Sequence, residues 1–281
     1  MRFVPDWLIY ILAIGAIFFI VSRFDEDANA PPAPPDELEA AGNLPPPPSF
    51  DPSTLVDTSI ASGALGSAFA ISQSGWWLTA RHLVDSCNHV GIVVAHGAAA
   101  EVSNVRLASF ADLALLKTDS APIALALATS ESNLEAGQRA YHIGFPQGQP
   151  GEAYSRLMGR EFLASGGRNG ASEPVMAWSI IGHTEHLEGS LAGLNGGPAI
   201  GPDGVVVGVT IAESARRGRV YTASPASIHR LLDVEHISVE GDPAPRMQPE
   251  DYGEQADNLR RSLAVAQIVC ISPFDKRRNA P

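Results

Sequence analysis

Cysteine is nearly absent from this 281-residue sequence. The two present, Cys87 and Cys270, lie far apart and form no CxxC pair. A zinc site built from cysteines is therefore excluded, and one disulfide between them stays open. Basic residues are scarce as well: 19 Lys and Arg stand against 31 Asp and Glu, a net charge of −12. No basic patch or stripe interrupts this balance, so a nucleic-acid footprint is missing and no nucleic-acid partner is expected. Aromatics are 7%. The body has no long 3.6-residue hydrophobic period, which argues against a helical bundle. Glycine has no three-residue period and no segment repeats, which excludes collagen and solenoid architectures. What is abundant is small and apolar: 45% hydrophobic residues, 26 Gly and 22 Pro. That is enough for a sizeable core in one or two loop-rich domains.

The charge is unevenly placed. Residues 24–60 hold eight acids and no base. Before them, Trp7 to Val21 is an unbroken apolar run, and residues 3–22 contain one charged side chain, Asp6. At ~1.5 Å per residue, such a stretch spans a bilayer core of about 30 Å. Residues 1–23 are thus expected to be a transmembrane signal anchor. Arg2 and the amino terminus favour the cytoplasmic side, which places the body in the periplasm or outside the cell. The rival is a cleaved signal peptide, with Ala28-Asn29-Ala30 as a small-x-small site followed by Pro31. Nine of the prolines fall in residues 24–58. That linker cannot bury a core and reads as an extended acidic spacer, up to ~100 Å long at ~3.1 Å per residue.

From residue 59 onward, short apolar runs alternate with Gly, Asn, Asp and Ser about every ten residues, the pattern of an all-β barrel or sandwich. One segment breaks it. In Ser224–Leu232, Ser224 suits a helix cap, Pro225 the first helical position, and Ile228, Leu231 and Leu232 make one apolar face.

Three segments carry chemistry in order. Gly66–Ile71 (GSAFAI) is followed by Trp77–His82 (WLTARH), then Ala111–Lys117 (ADLALLK), then Gly193–Pro198 (GLNGGP) with Asp203–Thr210 (DGVVVGVT) after it. Each alone is an ordinary strand or turn. Collinear, they resemble the trypsin-like serine proteases, in particular the HtrA/Deg branch. The stretch AGQRAYHIGFPQG ending at Gly148 matches the strand and turn between that family's lobes. The resemblance covers about residues 60–234. It implies a chymotrypsin-like double β-barrel domain at 59–235, with lobes at about 60–125 and 126–223 and a short closing helix. It also implies His82 as general base and Asp112 as its orienter, with the nucleophile at position 195. The main-chain N–H groups of Gly193 and Asn195 would form the oxyanion hole.

The departure lies at the nucleophile, where the family's serine is replaced by Asn195. A carboxamide nitrogen is delocalised into its carbonyl and is not a nucleophile that imidazole activates. Leu194 also replaces a small polar residue, and its bulk is expected to disturb the loop. Ser190 is the nearest alternative hydroxyl. Three readings follow: a pseudoprotease binding an extended or unfolded polypeptide or a partner protein, an active serine endopeptidase of envelope quality control, and a structural envelope protein with a vestigial cleft. No cofactor is implied. His183-Thr-Glu-His186 lacks the HExxH spacing, so no metal site is expected there. HtrA relatives are often oligomers, which leaves that possibility open here. The tail, 236–281, is too short for a PDZ domain. It is expected to hold a helix within 249–266, followed by Gln267–Ile271.

Overall fold

The computed structural model describes residues 66–95, 98–165, 172–184 and 190–271, together with two short strands before them. The strands are β1 (Gly42–Asn43), β2 (Thr54–Val56), β3 (Gly66–Ser72), β4 (Trp76–Thr79), β5 (His89–Ala95), β6 (Ala98–Glu101), β7 (Asn104–Leu107) and β8 (Ala114–Lys117). They continue with β9 (Glu135–Ala136), β10 (Arg139–Gly144), β11 (Gly151–Ser165), β12 (Ser172–His183), β13 (Pro198–Ile200), β14 (Val206–Ser214), β15 (Arg219–Ala223) and β16 (Val265–Ile271). Two helices, α1 (Pro225–Glu235) and α2 (Tyr252–Arg261), follow β15. The expected anchor at residues 3–22 and most of the linker lie outside the described residues. Among the described residues, no helix is long and apolar enough to cross a membrane.

Two sheets make two lobes. The second lobe runs β10-β13-β14-β15-β12-β11, and an additional β10–β11 pairing closes these six strands into a barrel. The first lobe runs β6-β5-β16-β3-β4-β8-β7 with no closing pair among the described strands, so it is a half-barrel. The expectation of two closed barrels is corrected to that extent. Each lobe buries one tryptophan whose indole is satisfied the same way. Trp77 Nε1 donates to Thr118 Oγ1 and Trp178 Nε1 to Thr222 Oγ1, both at 2.9 Å. A buried indole N–H without an acceptor is costly, so the threonines are part of the core design.

The closing helix forms where the sequence places its start. Ser224 caps it by accepting from the Ser227 N–H at 3.3 Å. It runs three residues beyond Leu232, ending at His236 in the left-handed region. Beyond Leu232 it carries no buried apolar residue, so the periodic signal stops early. α2 is shorter than the expected 249–266 segment because Leu263 takes a positive φ of 57° and the Ala264 N–H turns back to the Leu259 carbonyl.

The tail does more than dock a helix. β16 lies between β3 and β5, pairing antiparallel with both. Val265, Ala266 and Ile268 are buried in the first-lobe core. α2 is pinned to the second lobe by buried charges. Arg260 donates to Glu152 Oε2 at 2.7 Å, to Asp257, and to the main-chain carbonyls of Gly144 and Gly151. Cys87 is engaged in a disulfide, and no cysteine is free among the described residues. Cys270, the other cysteine of the sequence, stands in β16 opposite Val90, three residues beyond Cys87.

Candidate active site

The family-like motifs converge between the lobes. β4 ends at Thr79, whose hydroxyl donates to the Ser67 carbonyl at 2.7 Å. A single turn of 3-10 helix at Arg81–Leu83 then presents His82. Arg81 fixes this turn by donating to the Ala108 carbonyl at 2.7 Å and pairing with Asp85. Asp112 stands just before β8. One of its oxygens accepts the His82 main-chain N–H at 2.8 Å, and the other lies 2.5 Å from His82 Nδ1. An ionised carboxylate there holds the proton on Nδ1 and leaves the Nε2 lone pair facing the cleft.

Asn195 occupies the seat opposite that lone pair. Its Nδ2 lies 3.4 Å from His82 Nε2, and its Oδ1 is buried without a partner among the described residues. The turn beneath it is tightly specified. Gly196 sits at φ 84°, where a Cβ would come within 2.0 Å of the Ser67 carbonyl oxygen. A Cβ on Gly193 would meet the Phe145 carbonyl oxygen at 2.1 Å. Ser67 stitches the parts together: its N–H donates to the Asn195 carbonyl at 2.9 Å, its Oγ to the Gly193 carbonyl at 2.7 Å, and its Oγ accepts the Phe145 N–H at 3.0 Å.

One of the two donors expected for the oxyanion hole, the Asn195 N–H, is engaged within the loop. Ala192–Leu194 form a 3-10 turn, and the Asn195 N–H donates to the Ala192 carbonyl at 3.1 Å. That donor is spent inside the loop instead of facing a developing oxyanion. Leu194 helps to hold the turn, since it is buried with Leu191 and Ala153. Ser190 is also accounted for. Its Oγ donates to Glu213 at 2.5 Å, and the other Glu213 oxygen accepts the Leu191 N–H at 2.6 Å. The hydroxyl therefore belongs to a carboxylate clamp on this loop.

One site residue escaped the sequence reading. Glu173, at the start of β12, accepts the Asp112 main-chain N–H at 2.7 Å. Burial pushes its carboxyl up to about 7, aided by the nearby Asp112 charge and opposed by that hydrogen bond and by His82. Nothing in the local sequence marks it, because the contact crosses from one lobe to the other. His183 bonds the Thr184 carbonyl, and His186 lies outside the described residues. No group of three metal-ligating side chains occurs among the described residues.

Comparison with solved structures bears on the fold. The protease Rv3671c of M. tuberculosis in its active form superimposes with a TM-score of 0.50 at 20% identity, over 66% of this chain and 75% of that one. The HtrA-type protease AlgW with a decapeptide gives 0.48 at 19% identity, over 61% and 52%. The MamO protease domain of Magnetospirillum magneticum gives 0.47 at 20% identity, over 64% and 92%. No curated protein matches by sequence. The family model for the trypsin-like peptidase domain matches residues 66–209, just over half of the chain, and with His82, Asp112 and position 195 all inside that span the chain belongs to the trypsin-like peptidase family.

Proposed function

We propose that the chain is a membrane-anchored pseudoprotease that holds an extended polypeptide or a partner protein in its interlobe cleft without cutting it. The reading rests on Asn195. A carboxamide takes the place of the nucleophile, while the His82–Asp112 pair stays in hydrogen-bonded register. A base without a nucleophile does not acylate, yet the groove that receives substrate in a peptidase domain does not depend on that one hydroxyl. The apolar segment at 3–22 and the acidic, Pro-rich spacer behind it support a single-pass anchor, with the N-terminus cytoplasmic and the domain periplasmic or extracellular. The spent Asn195 N–H favours one alternative, a structural envelope protein whose cleft is vestigial.

The test uses the full-length chain in detergent. A fluorophosphonate probe should leave the wild type unlabelled and label Asn195→Ser at position 195, and a fluorescent unfolded polypeptide should bind the wild type and stay intact. Labelling of the wild type would overturn the reading and identify the working serine. Absence of polypeptide binding would leave the vestigial cleft in its place.

A further inference from the structure

The two lobes are fastened on both sides of the site, and the fasteners differ. On the Asn195 side the link is Ser67, a neutral hydroxyl that bonds main-chain groups of the 193–195 turn and Phe145. On the Asp112 side it is a carboxylate. Asp112 belongs to the first lobe, and Glu173 reaches it from the second-lobe strand β12, accepting its main-chain N–H at 2.7 Å. The same Asp112 uses both side-chain oxygens on His82. The main-chain bond to Glu173 adds a hold on Asp112 from outside that pair. We infer that Glu173 is the positioning residue of the His82–Asp112 pair, holding the Asp112 main chain from the opposite lobe and setting the charge that the pair faces.

The chemistry supports more than a spacer. A neutral amide or hydroxyl would accept the Asp112 N–H without placing a second carboxylate beside the first. Burial opposes ionisation of Glu173, and so does the Asp112 charge, whereas the accepted N–H and His82 favour it. These balance with a titration near pH 7. The titratable groups facing it are Asp112 and His82. Arg160 of β11 and Arg230 of α1 line the pocket beside Pro174 and Val175. Arg160 is paired with Glu131, and Arg230 lies over the Phe110 ring. Protonation of Glu173 thus removes one negative charge from beside Asp112 and His82.

The test needs no substrate, so it is read independently of peptide binding. A proton held between His82 Nδ1 and Asp112 in so short a hydrogen bond resonates far downfield in the proton spectrum. In the full-length wild type this resonance should show a step in position with a midpoint near pH 7. In Glu173→Gln it should persist, because the amide oxygen still accepts the Asp112 N–H, but the step should change, since only protonation of the His82 ring itself is then left to move it. In Glu173→Ala the main-chain anchor is lost, and exchange with water should quicken at least tenfold. A wild type without the step, or a step unchanged in Glu173→Gln, would overturn the inference, as would unaltered exchange in a folded Glu173→Ala. Should the alanine variant fail to fold, the glutamine variant alone decides.

Discussion

Arg260→Ala should be among the most damaging single substitutions in the tail. Arg260 is buried, and it serves Glu152, Asp257, and the carbonyls of Gly144 and Gly151. Removing one partner of a buried ion pair costs about 3–5 kcal/mol, because the remaining charge has nothing to offset its desolvation. A domain of this kind holds about 5–15 kcal/mol in total, so the loss is a large share. The sign of its pH dependence follows from Glu152. Burial pushes that carboxyl from 4.5 up to about 7, even though Arg260 pulls it down through charge and hydrogen bond. A carboxyl raised in the folded state contributes its stability at low pH and loses it as pH rises through the folded value. Without Arg260 the folded value climbs further, so the variant suffers more in base than in acid. Urea unfolding, followed through the buried Trp77 and Trp178, should show a deficit of about 3 kcal/mol or more at pH 8. At pH 5 the deficit should be smaller by about 1 kcal/mol or more. A deficit below about 1 kcal/mol at both values, or equal deficits, would refute the reasoning and mean that α2 is held by apolar packing alone.

Two further outcomes are expected. Peptide mapping without reductant should recover Cys87 and Cys270 in one linked pair with no free thiol, and two free thiols would remove the covalent tie between β16 and the first lobe. Gly196→Ala should destabilise the fold by more than about 2 kcal/mol, since it combines a positive φ with a 2.0 Å clash on the Ser67 carbonyl; a thermal melt that matches the wild type would contradict the turn geometry.

The parts of the site that a linear motif encodes were readable in advance. Thr79 and His82 sit three apart because the first closes on Ser67 and the second begins the next turn. Asp112 precedes a buried strand, and Gly196 and Gly197 allow the chain to pass beneath position 195. What depends on main-chain torsion was not readable. Whether the Asn195 N–H faces the cleft or the Ala192 carbonyl is decided by the turn at 192–194, and both outcomes use the same residues. What depends on distant contacts was equally hidden. Glu173 acquires its role only because β12 passes beside the loop before β8. The length of strand β11 is not marked in the sequence for a third reason. Bulges at Tyr154/Ser155 and Leu157/Gly159 shift its register, so its two-residue alternation breaks down.

The position of β16 bears on how the molecule comes into being. A ribosome releases β3 and β5 early, and the strand that must lie between them is among the last described to emerge. Until then the first sheet carries a gap whose two inner edges are unpaired, a state open to mispairing with other extended chains. Folding of the first lobe therefore waits on synthesis of the chain through Ile271. The second lobe, whose six-stranded barrel is assembled from consecutive segments, is free to form beforehand and serve as the template on which the first is finished.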